Sequence, residues 1–436
     1  MASRVLQDEH ERYARVERVR LGGAPVEVEW MPYGGAGSAD AANAAEPPEI
    51  VAGYGLLELE YAAFRRGAAV VERSCRGTVA VRGGDRIEFL NRMVTQELKG
   101  MAAGDVRAGF WLNRKGRIEA DLVFAEVPAA GAPAASAPAA SAPAAGNASA
   151  PSAEAMIDDG AFMLVDLDVH DAARTVTSLT AFLFNEDVHL ADQTAAWGRL
   201  AVHGPEGAML LSNAGADDAS LEALNADLRC VRTQLAGVPA VLVRRDQCGS
   251  PGVEVFVPVS GLARVWDALV SQHDATAGGR RRARPAGWHA YNIARIEAGT
   301  PLHHVDFGTD SLPHESGVIG ERVSFRKGCY LGQEVVARME SLGKPKQRLV
   351  GLRIAEDALP VAGSPVFELG ADGAPGNPVG SITSSTLSPM LGASSVAFAM
   401  VRTAHAEPGT VLGVPAEGVR ATATVQPRLR FLAEGG

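Results

Sequence analysis

The richest chemistry in this chain sits in one short run, Arg326-Lys327-Gly328-Cys329-Tyr330-Leu331-Gly332-Gln333-Glu334, followed by Val335-Val336-Ala337-Arg338-Met339-Glu340. A cysteine thiolate is a strong nucleophile and a soft metal ligand. In the tail, Val335, Val336 and Met339 fall on one helical face, and Glu334 and Arg338 have the spacing of a helical ion pair. A helix beginning near Gly332 would put Cys329 just ahead of its N-terminus, where the macrodipole favours an anion. Arg326 and Lys327 add positive charge there, and the glycines let the backbone turn sharply or approach something bulky. Two readings follow. Cys329 is a functional thiol, or it is a small buried residue at a strand–helix junction, the usual state of a free cysteine. A nucleophile needs a positioned base. The nearest histidines, His303, His304 and His314, lie upstream and reach Cys329 only through the fold.

The elements that must hold this run read as strand–helix units. Residues 78–82 form a strand, Gly83-Gly84 a turn, and Asp85 caps a helix carrying Ile87, Phe89, Leu90 and Val94. The same grammar recurs at 200–205 before a helix from Glu206, and at 252–258 before a helix through Leu262, Val265, Trp266 and Leu269. Residues 117–124 and 161–166 read as two strands of a hairpin. Between them, 128–155 is an Ala/Pro/Ser stretch too poor in large apolar side chains to offset its own ordering entropy, hence an insertion. A Gly/Ala-rich stretch at 34–45 reads as a second surface loop. From about Gln347 the texture changes to strand-length apolar runs separated by Gly/Pro turns, the pattern of an all-β barrel or sandwich.

Composition narrows the classes. The chain has 436 residues with a formal charge of −10, enough for about three units of ~150 residues or two larger ones. The acidic balance argues against a general nucleic-acid binder. The run Arg280-Arg281-Arg282-Ala283-Arg284 reads as a solvated linker, since no aromatics are interleaved. Cys75, Cys230, Cys248 and Cys329 are scattered without a CxxC pair, which fits neither a disulfide framework nor a zinc knuckle. His303-His304 lacks the i, i+4 spacing of a helical metal pair, so no metal is expected. No apolar run is long enough to span a membrane, the charged N-terminus has no signal-like core, and a reducing cytoplasm is the expected compartment.

Lys327-Gly328-Cys329-Tyr330-x-Gly332-Gln333-Glu334 resembles the signature of the YgfZ-type folate-binding proteins. These support iron–sulfur cluster assembly or repair and are relatives of the T-protein (aminomethyltransferase) of the glycine cleavage system. Further matches run in the same order: 77–85 with Phe89-Leu90-Asn91, Leu112-Asn113-x-x-Gly116-Arg117-Ile118, Val202-His203-Gly204-Pro205, 252–258, Arg295-Ile296-Glu297-Ala298-Gly299-x-Pro301, and 380–384 with Ser388-Pro389. The resemblance implies an α+β protein: a T-protein-like body of two interleaved α/β lobes (1–345, with the insertion 128–155) and a C-terminal all-β barrel-like domain (346–436). It implies tetrahydrofolate as cofactor, with Glu254 as the carboxylate for the pterin and Asn113, Asp121, Tyr291 and Arg295 around the folate. It makes Cys329 the functional thiol, with Lys327, Gln333 and Glu334 beside it, and iron–sulfur client or assembly proteins the partners.

Two positions depart from the T-protein pattern. Ala120 stands where those proteins carry the first aspartate of Gly-Gly-Ile-x-Asp-Asp-Leu, and only the second, Asp121, remains. Tyr291 stands where they carry an arginine, while Arg295 and Glu297 are kept and are expected to pair with each other. These losses favour iron–sulfur support on a retained folate pocket. A folate-dependent aminomethyltransferase or demethylase is the alternative, and an interaction scaffold with a vestigial folate site is the third reading.

Overall fold

The computed structural model describes residues 5–34, 48–129, 153, 157, 160–270 and 283–433. Most of 34–45 and 128–155, and Arg280 to Arg282, lie outside the described residues. The chain begins with helix α1 (Gln7–Arg20), the antiparallel pair β1 (Glu29–Pro32) and β2 (Glu49–Gly53), helix α2 (Leu57–Arg66) and β3 (Ala68–Glu72). It then builds a separate sheet from β4 (Arg76–Arg82), α3 (Arg86–Met93), β5 (Val106–Leu112), β6 (Ile118–Val127), β7 (Phe162–Asp168), α4 (Ala172–Thr180) and β8 (His189–Asp192). It returns to the first sheet with β9 (Trp197–His203), α5 (Gly207–Asn213), α6 (Asp218–Ala223), β10 (Cys230–Leu235), β11 (Val238–Arg244), β12 (Gly252–Pro258), α7 (Leu262–Val270) and β13 (Ala283–Pro285).

The result is two interleaved sheets, one in the order β10-β11-β12-β9-β3-β13 and the other β5-β6-β7-β4-β8. The hairpin expectation holds: β6 and β7 pair antiparallel out to Val127 opposite Phe162. The insertion is tighter at its far end than expected, because Ala153 is buried in the apolar cluster that includes Val127 and Phe162. Asp85 precedes α3 as expected but makes no side-chain cap; its carboxylate instead accepts from the Asp187 backbone at 2.9 Å. The basic run also departs from a solvated linker at its end. Arg284 is buried on β13, which pairs parallel with β3, and its guanidinium meets Glu17 of α1 at 2.9 Å.

Period-2 alternation decides what lies between the sheets. On β12, Val253, Val255 and Val257 join the outer core with Val265 and Trp266 of α7, leaving Glu254 and Phe256 on the inner face. There Phe256, Trp197, Val241 and Val243 meet Ala80, Val123, Ala125 and Leu164 of the other sheet.

Helix α8 (Trp288–Ala298) ends at Gly299 in the left-handed region, φ +80°, where a Cβ would lie 2.4 Å from the Arg430 nitrogen. Helices α9 (Ile319–Arg322) and α10 (Gln333–Leu342) follow. The remainder is a closed barrel: β14 (Gln347–Ile354), β15 (Pro365–Leu369), β16 (Pro375–Ser388), β17 (Ser394–Arg402), β18 (Val411–Ala416) and β19 (Val419–Val425), ordered β14-β17-β16-β15-β18-β19. The α+β class with a β-barrel end is therefore observed.

Barrel and body share a core of Ile296 from α8 with Leu349, Val396 and Phe398 from the barrel. Phe398 is fully buried there. Phe398→Ala is expected to lower the unfolding free energy by about 3–5 kcal/mol, read from the urea midpoint at unchanged slope.

Candidate functional site

The inner sheet faces converge on a buried charged centre. Asp166 of β7 accepts from Arg76 Nε at 3.0 Å and Arg199 Nη2 at 2.9 Å through one oxygen, and from Arg76 Nη2 at 2.9 Å and Arg245 Nη1 at 3.4 Å through the other. Arg199 reaches on to Glu254 Oε2 at 3.2 Å, and its guanidinium lies 3.7 Å from the Phe256 ring centroid. Arg73 Nε stands 3.4 Å from Glu254 Oε1 without a hydrogen bond between them. Burial alone would raise both carboxyls, but the guanidinium groups win and hold Asp166 and Glu254 below the usual carboxylate range.

Several buried polar atoms here lack a partner: Glu254 Oε1, Arg73 Nε, Arg199 Nε, Tyr291 Oη and both His203 ring nitrogens. Beside Glu254 lies a void of about 10 Å³ edged by Asp166, Arg245 and Phe256, the size of one water. Glu254 Oε1 has the acceptor chemistry that the N–H groups of a pterin's aminopyrimidine edge need. The void admits a water and not a ring, so a pterin at Glu254 requires the centre to open.

The other expected folate residues divide. Asp121 shares the inner face of β6 with Val123 and Ala125 and accepts from Arg322 Nε at 2.9 Å. Ala120 points the opposite way, into the outer core with Phe89, Trp111 and Phe124. In this chain a carboxylate at 120 would face an apolar core, so its absence takes nothing from the centre. Tyr291 of α8 does belong there, with Arg73 stacked 4.6 Å from its ring centroid. A guanidinium thus stands at position 291 after all, delivered from the β3–β4 connection.

Arg295 lies elsewhere. It is fully buried against the barrel, donating to Asp306 at 2.6 Å, Ser384 at 2.6 Å, Asn292 at 2.9 Å and the Thr300 carbonyl at 3.1 Å. It does not pair with Glu297, which binds Arg65, Tyr61 and Ser388. Asn113 shapes the β5–β6 turn: its Oδ1 accepts from the Lys115 and Arg117 backbones at 2.9 and 3.2 Å, and its Nδ2 donates to Glu119 at 2.7 Å.

That turn carries the cysteine segment. Helix α10 starts at Gly332 with φ +79°, where a Cβ would lie 2.7 Å from the Asn113 carbonyl, so only glycine allows this approach. Cys329, just before the helix, is exposed, while Cys75, Cys230 and Cys248 are buried. The buried-junction reading therefore fails for Cys329. Gln333 and Glu334 open α10, with Glu334 exposed. Lys327 is buried beneath them, its ammonium donating to the carbonyls of Asn91, Val94 and Gln96 at 2.5, 2.5 and 2.9 Å. Burial pushes its pKa down to about 8. Lys327 thus pins the segment to the C-terminal end of α3. Among the described residues no side chain hydrogen-bonds to the Cys329 thiol. His314 instead meets Glu340 at 3.2 Å, and His303 and His304 meet Asp171.

Sequence reasoning missed Asp166, Arg73, Arg76, Arg199, Arg245 and His203 as members of the centre. Inward charges at alternate strand positions (Arg199 on β9, Asp166 on β7) were the available signal.

Two outcomes follow. Burial pushes His203 down to about 4, against about 6.5 in the unfolded chain. The unfolded chain takes up a proton at pH 6.5 that the native ring refuses until about pH 4, so this contribution is intact above 6.5 and declines as pH falls through that window. Between pH 7 and 5 the wild type is expected to lose about 2 kcal/mol more than His203→Leu in parallel urea titrations. Separately, a chromogenic thiol reagent should titrate one fast-reacting cysteine in the native chain, and none in Cys329→Ser.

The comparisons extend this geometry. The GCVT N-terminal domain profile matches residues 53–131 and 154–327, and the glycine cleavage T-protein C-terminal barrel domain profile matches 347–431. The break falls inside the Ala/Pro stretch. Among curated relatives, a probable aminomethyltransferase of Halobacterium salinarum is 27% identical, with 85% of this chain and 89% of that protein covered. An aminomethyltransferase of Streptomyces avermitilis is 28% identical over 84% and 87% of the two chains. The crystal structure of the glycine cleavage system aminomethyltransferase T from Bartonella henselae superposes with a TM-score of 0.74 at 20% identity, covering 98% of this chain and 97% of that one, a likeness of fold. With body and barrel both matched, this chain belongs to the GCVT family of glycine cleavage T-protein-like proteins.

Proposed function

We propose that this chain binds tetrahydrofolate between the two sheets of its body and acts on the one-carbon unit that the folate carries, as a transferase of the aminomethyltransferase or demethylase type. The observation that carries the reading is Glu254 Oε1, which accepts no hydrogen bond among the described residues inside a buried, arginine-rich centre. The printed names of the relatives support a transferase over the iron–sulfur reading. Residues 1–345 would form the folate-binding body and 346–436 the barrel that closes on it.

In this reading Glu254 orients the pterin by accepting from its aminopyrimidine edge. Four guanidinium groups, Arg73, Arg76, Arg199 and Arg245, face two carboxylates, Asp166 and Glu254, so the centre favours a guest carrying negative charge. Bound tetrahydrofolate supplies nitrogens that accept or release the one-carbon unit. Asp121, directed inward from β6, is the carboxylate placed to hold a proton or offset a developing positive charge, once loosened from Arg322.

A second reading, support of iron–sulfur enzymes, rests on Cys329, the exposed thiol on a segment that Lys327 pins in place. A reducing cytoplasm suits either reading and keeps all four thiols free.

Calorimetric titration with tetrahydrofolate is expected to saturate at one site per chain, and Glu254→Gln to weaken binding at least tenfold while the chain stays folded by circular dichroism. No saturable binding by the wild type would end the folate reading. Asp121→Asn should keep binding and lose aminomethyl exchange. Normal exchange in Asp121→Asn would remove its assigned role.

A further inference from the structure

Outside the charged centre, the loop after α8 sets two imidazoles on one carboxylate. Asp171, just before α4, is 1% exposed. His303 Nδ1 lies 3.0 Å from its Oδ2, and His304 Nε2 lies 3.0 Å from both of its oxygens. The two rings stand 4.0 Å apart. Consecutive side chains on extended backbone diverge to opposite faces. These two converge because His304 adopts the left-handed conformation, φ +65°.

We propose that Asp171, His303 and His304 bind one first-row divalent cation of the zinc or ferrous class. Two neutral imidazoles and a carboxylate are a ligand set that such ions take in proteins. The three donor atoms lie within 4.8 Å of one another. With metal–ligand bonds of about 2.0–2.2 Å, tetrahedral geometry asks for donor separations of roughly 3.3–3.5 Å. The observed 3.0 Å contacts are a few tenths of an ångström from that. The surroundings match a metal site too: Arg174 Nη2 donates to Asp171 Oδ1 at 2.8 Å, the kind of outer hydrogen bond that fixes a ligating carboxylate. His303 is 4% exposed, so packing holds its ring against Asp171. The His304 side chain is 30% exposed, which gives an ion a path from solvent. Three protein ligands leave a coordination position for water or substrate.

The competing account is a metal-free hydrogen-bond network in which both rings donate to Asp171. The full-length chain, treated with chelator and dialysed, is titrated with cobalt(II) and followed by visible absorption, then back-titrated with zinc(II). One equivalent of cobalt with intense d–d bands, displaced by zinc, is expected. His304→Gln keeps a donor for Asp171, and Asp171→Asn keeps an acceptor, so both preserve much of the network. Each should weaken cobalt binding at least tenfold while the chain stays folded by circular dichroism. No saturable binding below about 1 mM cation, or binding that both variants leave unchanged, would overturn the site; the latter would place the ion elsewhere, for example on the Cys329 thiol.

Discussion

The body closes on Asp166. Two sheets can meet face to face over an apolar layer, as they do around Phe256 and Leu164, but here they also enclose Arg76, Arg199 and Arg245. A buried guanidinium without a partner is costly, and removing one member of a buried ion pair typically costs about 3–5 kcal/mol. Asp166 serves all three from a single carboxylate, drawing on β4, on β9 and on the residue after β11. One side chain from the five-stranded sheet therefore fixes cations from both sheets. Even then the charge does not balance. Arg73 stacks on the Tyr291 ring and reaches Glu254 Oε1 at 3.4 Å without a hydrogen bond. Glu254 Oε1 therefore keeps the capacity to accept a hydrogen bond inside a cationic centre.

What the sequence made legible was local. Alternation on 252–258, the hairpin on either side of the Ala/Pro stretch, the helix after Gly332 and the change to barrel strands at Gln347 all follow from periods of two or 3.6 and from turn residues. Contacts set by the fold were not legible, and the errors have physical reasons. Arg295 and Glu297 are two apart on a helix and so face different ways. One turned to Asp306 and Ser384, the other to Arg65 and Ser388. Ala120 and Asp121 are neighbours on a strand, so the comparison at 120 concerned the outer face while the carboxylate at 121 faces inward to Arg322. At His303-His304 a left-handed residue turns two consecutive imidazoles toward one carboxylate, a convergence that spacing along the chain does not display.

The residues of the sequence signature do not form one pocket with Glu254. The segment from Arg322 to Cys329 joins two stations of different character. At one end Arg322 holds Asp121 at the edge of the buried centre; at the other Lys327 spends its ammonium on three backbone carbonyls and Cys329 faces solvent. A carboxylate between two sheets suits a small molecule that enters and is surrounded. An exposed thiol with no hydrogen-bonded base suits a reactant or surface that arrives from outside. Because Arg322 and Lys327 anchor the same short stretch, and the Arg322 carbonyl also accepts from Thr95 Oγ1 at 2.7 Å beside the carbonyls that hold Lys327, a guest that draws Asp121 away from Arg322 acts on the base of the cysteine segment.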